Sequence, residues 1–415
     1  MEKNKKVLLK NTVMLYVLRF STYFFSFVTV PYQTRIMGVS IYGKIGVATA
    51  LMMYFQLFLD FGFLLSATEE VAKHRDDKKV LCDVLTSVNV IKVCFSVVSV
   101  VVLYGICSFV PQYEQDKTLY FLFLVQAIIA SFQPDYLYRG LENMTVVTCR
   151  TVFTKALFTS MIFIFLKQPE DYYCVPIIMA IGELIATGWS YYDLNRNYSI
   201  RFVKIKLKSI MIRLKQSSTF FLSRIVTTVY TATNTVILGI IDPTGIAVGY
   251  YTAAYKLIST GQSALAPISD SIYPYMIKNK DFKLVKKILL LTTPVILLGA
   301  VVIFIFADKV CWLFFGEEFA PAGKILRGMM LLAVLTLPDY ILGFPTLGAM
   351  GLSKHANISI YISSAIHVIN LVVLFYLGKL NAVSLAWLIS IAAFVEVAYR
   401  LTIVLKNKNI MKNEI

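Results

Sequence analysis

Long apolar stretches recur along this sequence and limit what it can fold into. Each has about 20 residues, the length that an α-helix needs to cross ~30 Å of hydrocarbon. The sequence predicts twelve spans, near residues 11–36, 41–67, 83–110, 118–139, 146–166, 173–193, 218–241, 246–275, 287–307, 322–350, 356–378 and 380–404. Hydrophobic residues make up 58% of the 415 and charged residues only 15%, which excludes a soluble globular domain of this size. We therefore predict an all-α polytopic membrane protein.

The basic residues are distributed unevenly between the two sides of the membrane. They concentrate on alternate connections, at the N-terminus and in residues 73–79, 195–215, 278–287 and 406–412, whereas the opposite connections mix a few lysines with acids. Loops on the cytoplasmic side carry such an excess of lysine and arginine. The net charge of +16 therefore indicates cytoplasmic termini, not a nucleic-acid partner. The six cysteines and three histidines show no metal-ligand spacing, so no metal or cofactor is expected.

The longest basic connection lies at the middle of the chain. It combines basic residues with apolar residues at helical spacing, which is typical of a helix lying on anionic lipid headgroups. The sequence thus predicts a six-helix lobe at residues 1–194, an amphipathic linker at 195–217, a second six-helix lobe at 218–405 and a cytoplasmic tail at 406–415.

One charge interrupts the first span. From Arg19, polar residues recur three, four, seven, ten and fourteen positions later, at Thr22, Tyr23, Ser26, Thr29 and Gln33. This spacing places them in one narrow stripe along a helix. A charge at the centre of a bilayer costs roughly 2.5–3.5 kcal/mol, so the stripe should turn towards protein or water.

The seventh span repeats this stripe. Arg224 lies 205 residues after Arg19 and is followed by Thr227, Thr228, Thr231, Asn234 and Thr235. Duplicated halves with a site at their interface are a common transporter plan. Because each predicted half has an even number of spans, their pseudo-twofold axis should run along the membrane normal. The first and seventh spans are then expected to face each other across a central cavity.

The stripes predict the chemistry of this cavity. Its expected cations are Arg19, Arg224, Lys256, Arg35 and Lys92, and its expected polar groups are Tyr23, Ser26, Thr228, Thr231, Asn234 and Tyr255. The planar arginine fork matches phosphate and carboxylate oxygens, and hydroxyl and amide groups suit sugars. The pattern favours an anionic, carbohydrate-bearing substrate.

Charged residues elsewhere in the spans have two interpretations. They can form internal ion pairs, such as Lys155 with Glu183, or they can couple transport to an ion. Asp60, Glu183 and Glu396 are the candidates for coupling to a proton or sodium gradient. No nucleotide-binding loop or nucleophile–base arrangement occurs in the sequence, which favours a transporter over an enzyme.

Several longer segments carry a family resemblance. They are RIMGVSIYGKIGVATALMMYFQLFLDFGF (35–63), FQPDYLYRGLENM (132–144), FFLSRIVTTVYTATNTVILG (220–239), VGYYTAAYKL (248–257), PISDSIYPYM (267–276) and FGEEF (315–319). In these the chain resembles the polysaccharide-biosynthesis flippases (Wzx type) of the multidrug/oligosaccharidyl-lipid/polysaccharide exporter superfamily.

The resemblance implies a V-shaped, two-lobed transporter with a cationic cavity, which fits Arg19, Arg224 and Lys256. Its implied substrate is an undecaprenyl-diphosphate-linked oligosaccharide repeat unit, moved from the cytoplasmic to the outer leaflet for O-antigen, capsule or exopolysaccharide synthesis. A polysaccharide polymerase and a chain-length regulator are the implied protein partners.

Two alternatives stay open at this point. A drug or cation antiporter of the same superfamily would need acidic residues in the cavity, where this sequence repeats an arginine. A polysaccharide polymerase or ligase typically carries a large external loop. The longest external segment here, near residues 307–323, is too short for that.

Overall fold

The computed structural model describes the backbone of residues 2–407 and all of their side chains except those of residues 2–9, 12, 222–224 and 226–231. None of this backbone forms a β-strand. The α-helices are α1 Glu2–Asp60, α2 Phe63–Lys73, α3 Lys78–Phe109, α4 Pro111–Glu114, α5 Lys117–Ser131, α6 Asp135–Gly140, α7 Met144–Phe165, α8 Cys174–Tyr198, α9 Leu207–Ile241, α10 Ile246–Asn279, α11 Phe282–Ile305, α12 Ala307–Phe315, α13 Gly323–Ile341, α14 Ser353–Tyr376 and α15 Ala382–Lys406.

Nine helical stretches among the described residues are long and apolar enough to cross a membrane. The first of them, Val13–Lys73, covers two of the predicted spans. Helices α9 and α10 coincide with the predicted seventh and eighth spans but are not among the nine. The prediction of an all-helical, multi-pass membrane fold is therefore confirmed, and the count of twelve spans stays a prediction.

Two helices are interrupted at glycines. Within α1 the backbone leaves the helical conformation at Gly38, where φ is 68° and ψ is 178°. This conformation is costly for residues with a Cβ, and it separates the first two predicted spans. After α13, a π-helical turn at Leu342–Gly348 contains a second interruption at Gly343, where ψ is −125°.

The chain divides into two compact units, residues 1–228 and 229–415. The division lies inside α9 and inside the predicted seventh span. In unit 1, α1 packs on α5 and α7, and α8 packs on α5 and α7 as well. The core between α2, α3, α6 and α8 contains Phe63, Leu85, Leu137 and Leu194, each at most 1% exposed.

In unit 2, α13 is the central helix. It packs against α10, α11 and α15, and α14 packs on α15. Two fully buried side chains, Leu326 of α13 and Leu385 of α15, belong to this core. By contrast, Leu291 and Leu298 of α11 are about two-thirds exposed (70% and 67%), as expected for a helix that faces lipid.

Candidate functional site

The first part of the polar stripe of α1 is partly buried. Arg19, Tyr23 and Ser26 are half-buried, whereas Phe20 and Phe27 of the remaining surface are 72% and 56% exposed. A helix in lipid turns its apolar face outward and its polar groups towards protein or water. Leu18 and Phe25 of the apolar surface are half-buried as well, so the orientation expected of this stripe stays a prediction.

The later part of the same stripe is used in packing. Thr29 is 3% exposed, and its hydroxyl lies 3.1 Å from that of Thr159 on α7. Tyr32 donates a hydrogen bond to the main-chain oxygen of Leu166 (2.8 Å). Gln33 is also buried. These contacts join α1 to α7, so only the half of the stripe nearer Arg19 keeps partly exposed polar groups.

The second stripe is described only in part. The side chains of Arg224, Thr228 and Thr231 lie outside the described residues, so their predicted place on a cavity wall stays a prediction. Asn234 is described and is fully buried inside unit 2.

Asn234 belongs to a hydrogen-bonded chain across three helices. Its amide nitrogen donates to the hydroxyl of Tyr251 on α10 (2.9 Å), and its oxygen lies 2.9 Å from Nε2 of His367 on α14. All three side chains are at most 2% exposed. Tyr255 stacks beside Tyr251 with its ring centroid 6.4 Å away. The chain satisfies buried polar groups within unit 2, and no part of Asn234 reaches the surface in this structure.

Lys256 and Arg35, two further cations predicted for the cavity, differ in how far they are buried. Lys256 is half-buried on α10, and its main-chain oxygen accepts hydrogen bonds from Ser259 and Thr260. Those hydroxyls therefore bond to their own helix, as serine and threonine often do. Arg35 is exposed on α1, close to the interruption at Gly38.

Lys92 lies among protein groups inside unit 1. It is 4% exposed, its Nζ lies 3.9 Å from Oδ1 of Asp60, and it donates a hydrogen bond to the main-chain oxygen of Ser131. The sequence predicts Lys92 on the cavity wall and Asp60 as a candidate for ion coupling. The structure instead pairs the two with each other, and this pairing compensates both charges.

Next to this pair lies a second group of charges in unit 1. Arg150 is 1% exposed, and its Nη2 lies 2.5 Å from Oδ1 of Asp135. Its Nη1 donates to Ser190 of α8 (2.6 Å). Glu183 accepts a hydrogen bond from Gln133 and interacts electrostatically with Lys155, the residue that the sequence suggested as its partner.

Unit 2 contains a cluster of three charged residues, which we name the Arg400 cluster: Arg400, Asp339 and Glu396. Nη1 of Arg400 lies 2.8 Å from Oδ1 of Asp339, and Nη2 donates to Oε1 of Glu396. Nε donates to Ser359 of α14 (2.9 Å). Helices α13, α14 and α15 therefore meet around one guanidinium.

Sequence reasoning missed Arg150 and Arg400 because neither heads a polar stripe. A repeated tripeptide could have located their partners. Pro-Asp-Tyr occurs at residues 134–136 and again at 338–340, and its aspartates are 204 residues apart, nearly the spacing of Arg19 and Arg224. Each aspartate is paired with a buried arginine of its own unit.

Within the described ranges, no group of three or more His, Cys, Asp or Glu side chains could hold a metal ion.

Comparison with known proteins gives one family and several related folds. The family model for polysaccharide biosynthesis proteins matches residues 8–280. Two relatives are named as candidate O-antigen transporters. The one from Shigella dysenteriae is 24% identical over 329 residues, which cover 78% of this chain and 82% of the relative. The one from Escherichia coli (strain K12) is 26% identical over 292 residues, 70% of either chain.

Among solved structures, the lipid II flippase MurJ in an inward closed conformation has a TM-score of 0.72 at 16% identity. The match covers 98% of this chain and 90% of that one. An inward-facing multidrug resistance transporter of the MATE family, within the MOP superfamily, has a TM-score of 0.69 at 15% identity. This match covers 95% of this chain and 99% of that one. At these identities the likeness shows that the fold is shared.

Proposed function

The chain belongs to the polysaccharide biosynthesis protein family, and from that premise we propose that it is a flippase for a lipid-linked glycan. Its substrate is an undecaprenyl-diphosphate-linked oligosaccharide repeat unit. The protein moves this unit from the cytoplasmic to the outer leaflet of the bacterial plasma membrane by alternating access. The candidate O-antigen transporters among its relatives support this substrate class.

The observation that carries the proposal is the position of Arg19. A half-buried cation lies within an apolar helix, in the same polar stripe as the half-buried Tyr23 and Ser26. A guanidinium binds phosphate oxygens through two parallel hydrogen bonds, and the neighbouring hydroxyls suit sugar. In this proposal Arg19, Arg224, Lys256 and Arg35 supply the positive charge along the path of the diphosphate.

A drug or cation antiporter is not favoured by this helix. An organic cation needs a carboxylate partner, and the described part of the α1 stripe carries an arginine and no acid. A cationic substrate would be repelled there.

Arg19→Ala and Arg224→Ala are the variants that test the proposal. Each should lower surface polysaccharide about tenfold or more, because one charge-assisted hydrogen bond contributes roughly 1.5–3 kcal/mol. Export is measured in cells that lack their own repeat-unit flippase, with the amount of variant in the membrane measured alongside. Arg19→Lys should restore part of the export, since it keeps the charge but loses the bidentate fork.

Arg196→Ala is the matched control. Arg196 is an exposed arginine on α8 whose guanidinium bonds to Tyr192 of the same helix, so export should stay at the wild-type level. Wild-type export by both Arg19→Ala and Arg224→Ala would rule out this substrate path. The direct measurement is transfer of a fluorescent lipid-linked oligosaccharide between the leaflets of vesicles that contain the purified protein.

A further inference from the structure

The charges of the Arg400 cluster do not balance. One guanidinium, that of Arg400, contacts the carboxyl groups of Asp339 and Glu396. The side chain of Arg400 is 6% exposed, that of Asp339 23% and that of Glu396 12%. With both acids ionised, the cluster carries one surplus negative charge in a largely buried place. A buried charge is retained only where it is paired, and otherwise the group becomes neutral.

Among the described residues, Arg400 is the one base that forms a salt bridge with Asp339 or Glu396. Arg400 and Glu396 are the charged groups that act on Asp339. On α14, the next cation is Lys354, which is exposed, and the ring of His355 bonds to the hydroxyl of Tyr399 (2.8 Å). On α10, Lys256 is half-buried and Asp270 is an exposed acid. Three lysines on the first turns of α11 are exposed: Lys283, Lys286 and Lys287.

The hydrogen bonds distinguish the two acids. Glu396 accepts from Nη2 of Arg400 and from the hydroxyl of Ser363 (3.2 Å). Nη1 donates instead to the main-chain oxygen of Asp339 (2.5 Å). Oδ1 of Asp339 is buried, and its contact with Nη1 of Arg400 (2.8 Å) is a salt bridge without hydrogen-bond geometry. An ionised carboxylate is stabilised by such donors, so Glu396 is the better satisfied of the two acids and Asp339 the one that more readily holds a proton.

Unit 1 offers an internal comparison. Around the Pro-Asp-Tyr aspartate of unit 1, three acids, Asp60, Asp135 and Glu183, and three bases, Lys92, Arg150 and Lys155, act on one another. These six charges sum to zero. The same Pro-Asp-Tyr tripeptide thus lies in a balanced group in unit 1 and in an unbalanced one in unit 2.

We propose that Asp339 and Glu396 together hold one proton, carried by Asp339 in this conformation, and that the Arg400 cluster is the proton-binding site of the protein. Two carboxyls held close together at one largely buried site commonly share one proton. Asp60 and Glu183, the other candidates for ion coupling, are neutralised by their own basic partners and are not the site.

The site is joined directly to the interruption of the helix after α13. Asp339 lies just before the π-helical turn Leu342–Gly348. A Cβ added to Gly343 would lie 2.8 Å from Nη1 of Arg400, so the guanidinium touches both the acid and the irregular backbone. Loss of the proton strengthens the attraction between Asp339 and Arg400 and draws Nη1 away from the main chain. Proton binding is therefore linked to the shape of this turn.

Infrared difference spectroscopy of the purified protein in dodecyl maltoside, a detergent without carbonyl groups, tests the site without any transport assay. A protonated carboxyl has a C=O band distinct from that of a carboxylate. Wild-type protein at neutral pH should show this band. Both Asp339→Asn and Glu396→Gln should lose it, because either change leaves one carboxylate for one guanidinium. Glu317→Gln, which removes an exposed acid, should keep it.

Survival of the band in both variants, or its absence from the wild type, overturns the proposal. The wild-type measurement needs no variant to fold, and the band should disappear as the pH is raised. Both variants remove a surplus charge, so they should also elute as the wild type does in gel filtration.

A second measurement concerns transport and rests on the proposed function. In vesicles, an imposed proton gradient should change the rate of glycan-lipid transfer by the wild type but not by Glu396→Gln. If neither the wild type nor Glu396→Gln transfers the lipid while the infrared result holds, the proposed function is wrong and the proton site is supported. If transfer by Glu396→Gln responds to the gradient as the wild type does, the coupling role of the site is wrong.

Discussion

Arg213 attaches the basic segment in which it lies to neighbouring helices of unit 1. The sequence places residues 195–217 on lipid headgroups, and Arg201, Lys204 and Lys208 are indeed exposed. Arg213 is only 6% exposed and lies 2.9 Å from both Glu70 of α2 and Asp83 of α3. The beginning of α9 is thus held against unit 1 by one guanidinium between two carboxylates.

Arg213→Ala should destabilise the protein by about 1–3 kcal/mol, because it leaves Glu70 and Asp83 without their shared cation. Both acids are partly exposed (24% and 30%), so water can compensate part of the loss. The measurement is the thermal unfolding of the purified protein in detergent. Arg201→Ala removes an exposed cation of the same segment and should leave the melting temperature unchanged. Equal melting temperatures for both variants would contradict the docking role of Arg213.

At the scale of single residues, some site residues can be predicted from the sequence and others cannot. Arg19 is visible because helical periodicity places polar residues on one side of an apolar span. Arg150, Arg213 and Arg400 are hidden because their carboxylate partners lie on other helices, and no local spacing records such a contact. Asn234 follows the stripe of the seventh span, yet its actual neighbours are Tyr251 and His367.

At the scale of helices, apolar length predicts where the chain is helical, but it does not locate the interruptions. Pro338 and Pro345 indicate that the span near residues 322–350 is irregular. The structure places the interruption at Gly343, between the two prolines. Gly38 separates the first two predicted spans within α1. Backbone dihedral angles at single glycines are decided by packing, so hydropathy alone cannot place them.

Gly343→Ala should destabilise the protein by roughly 1–3 kcal/mol, the usual cost of overpacking. The added methyl group would lie 2.8 Å from Nη1 of Arg400. That guanidinium cannot easily move because it is bonded to Asp339, Glu396 and Ser359. Thermal unfolding and glycan export are the two measurements.

Gly299→Ala is the control for this prediction. Gly299 lies in the interior of α11, and a Cβ there would meet no atom within 4 Å. Alanine is the better helix former by about 1 kcal/mol, so this variant should be neutral or slightly more stable. The same loss of stability in both variants would show that Gly343 has no special contact.

At the scale of the whole molecule, two separate repeats point to a duplicated chain. Arg19 and Arg224 are 205 residues apart, and the two Pro-Asp-Tyr aspartates are 204 apart. The polytopic helical class and the family follow from the sequence. The charge balance of each unit does not, because it depends on which helices touch.

The orientation of the chain is predicted by its basic connections, and reporter fusions can measure it. Fusions within residues 73–79 and after Lys406 should show cytoplasmic activity. Fusions within residues 111–117 and 377–381 should show activity on the outer side, because few basic residues flank those spans. Neighbouring fusions that report the same side would contradict the predicted crossing of the span between them.

The unequal charges of the Arg400 cluster also have an electrical consequence. A proton that enters the cluster from one side of the membrane and leaves on the other carries one elementary charge per cycle, in addition to the charge of the diphosphate. That transfer is worth about 2.3 kcal/mol for each 100 mV of membrane potential. Voltage alone would then drive the cycle even when the pH is equal on both sides, and the protein would generate a measurable current as it works.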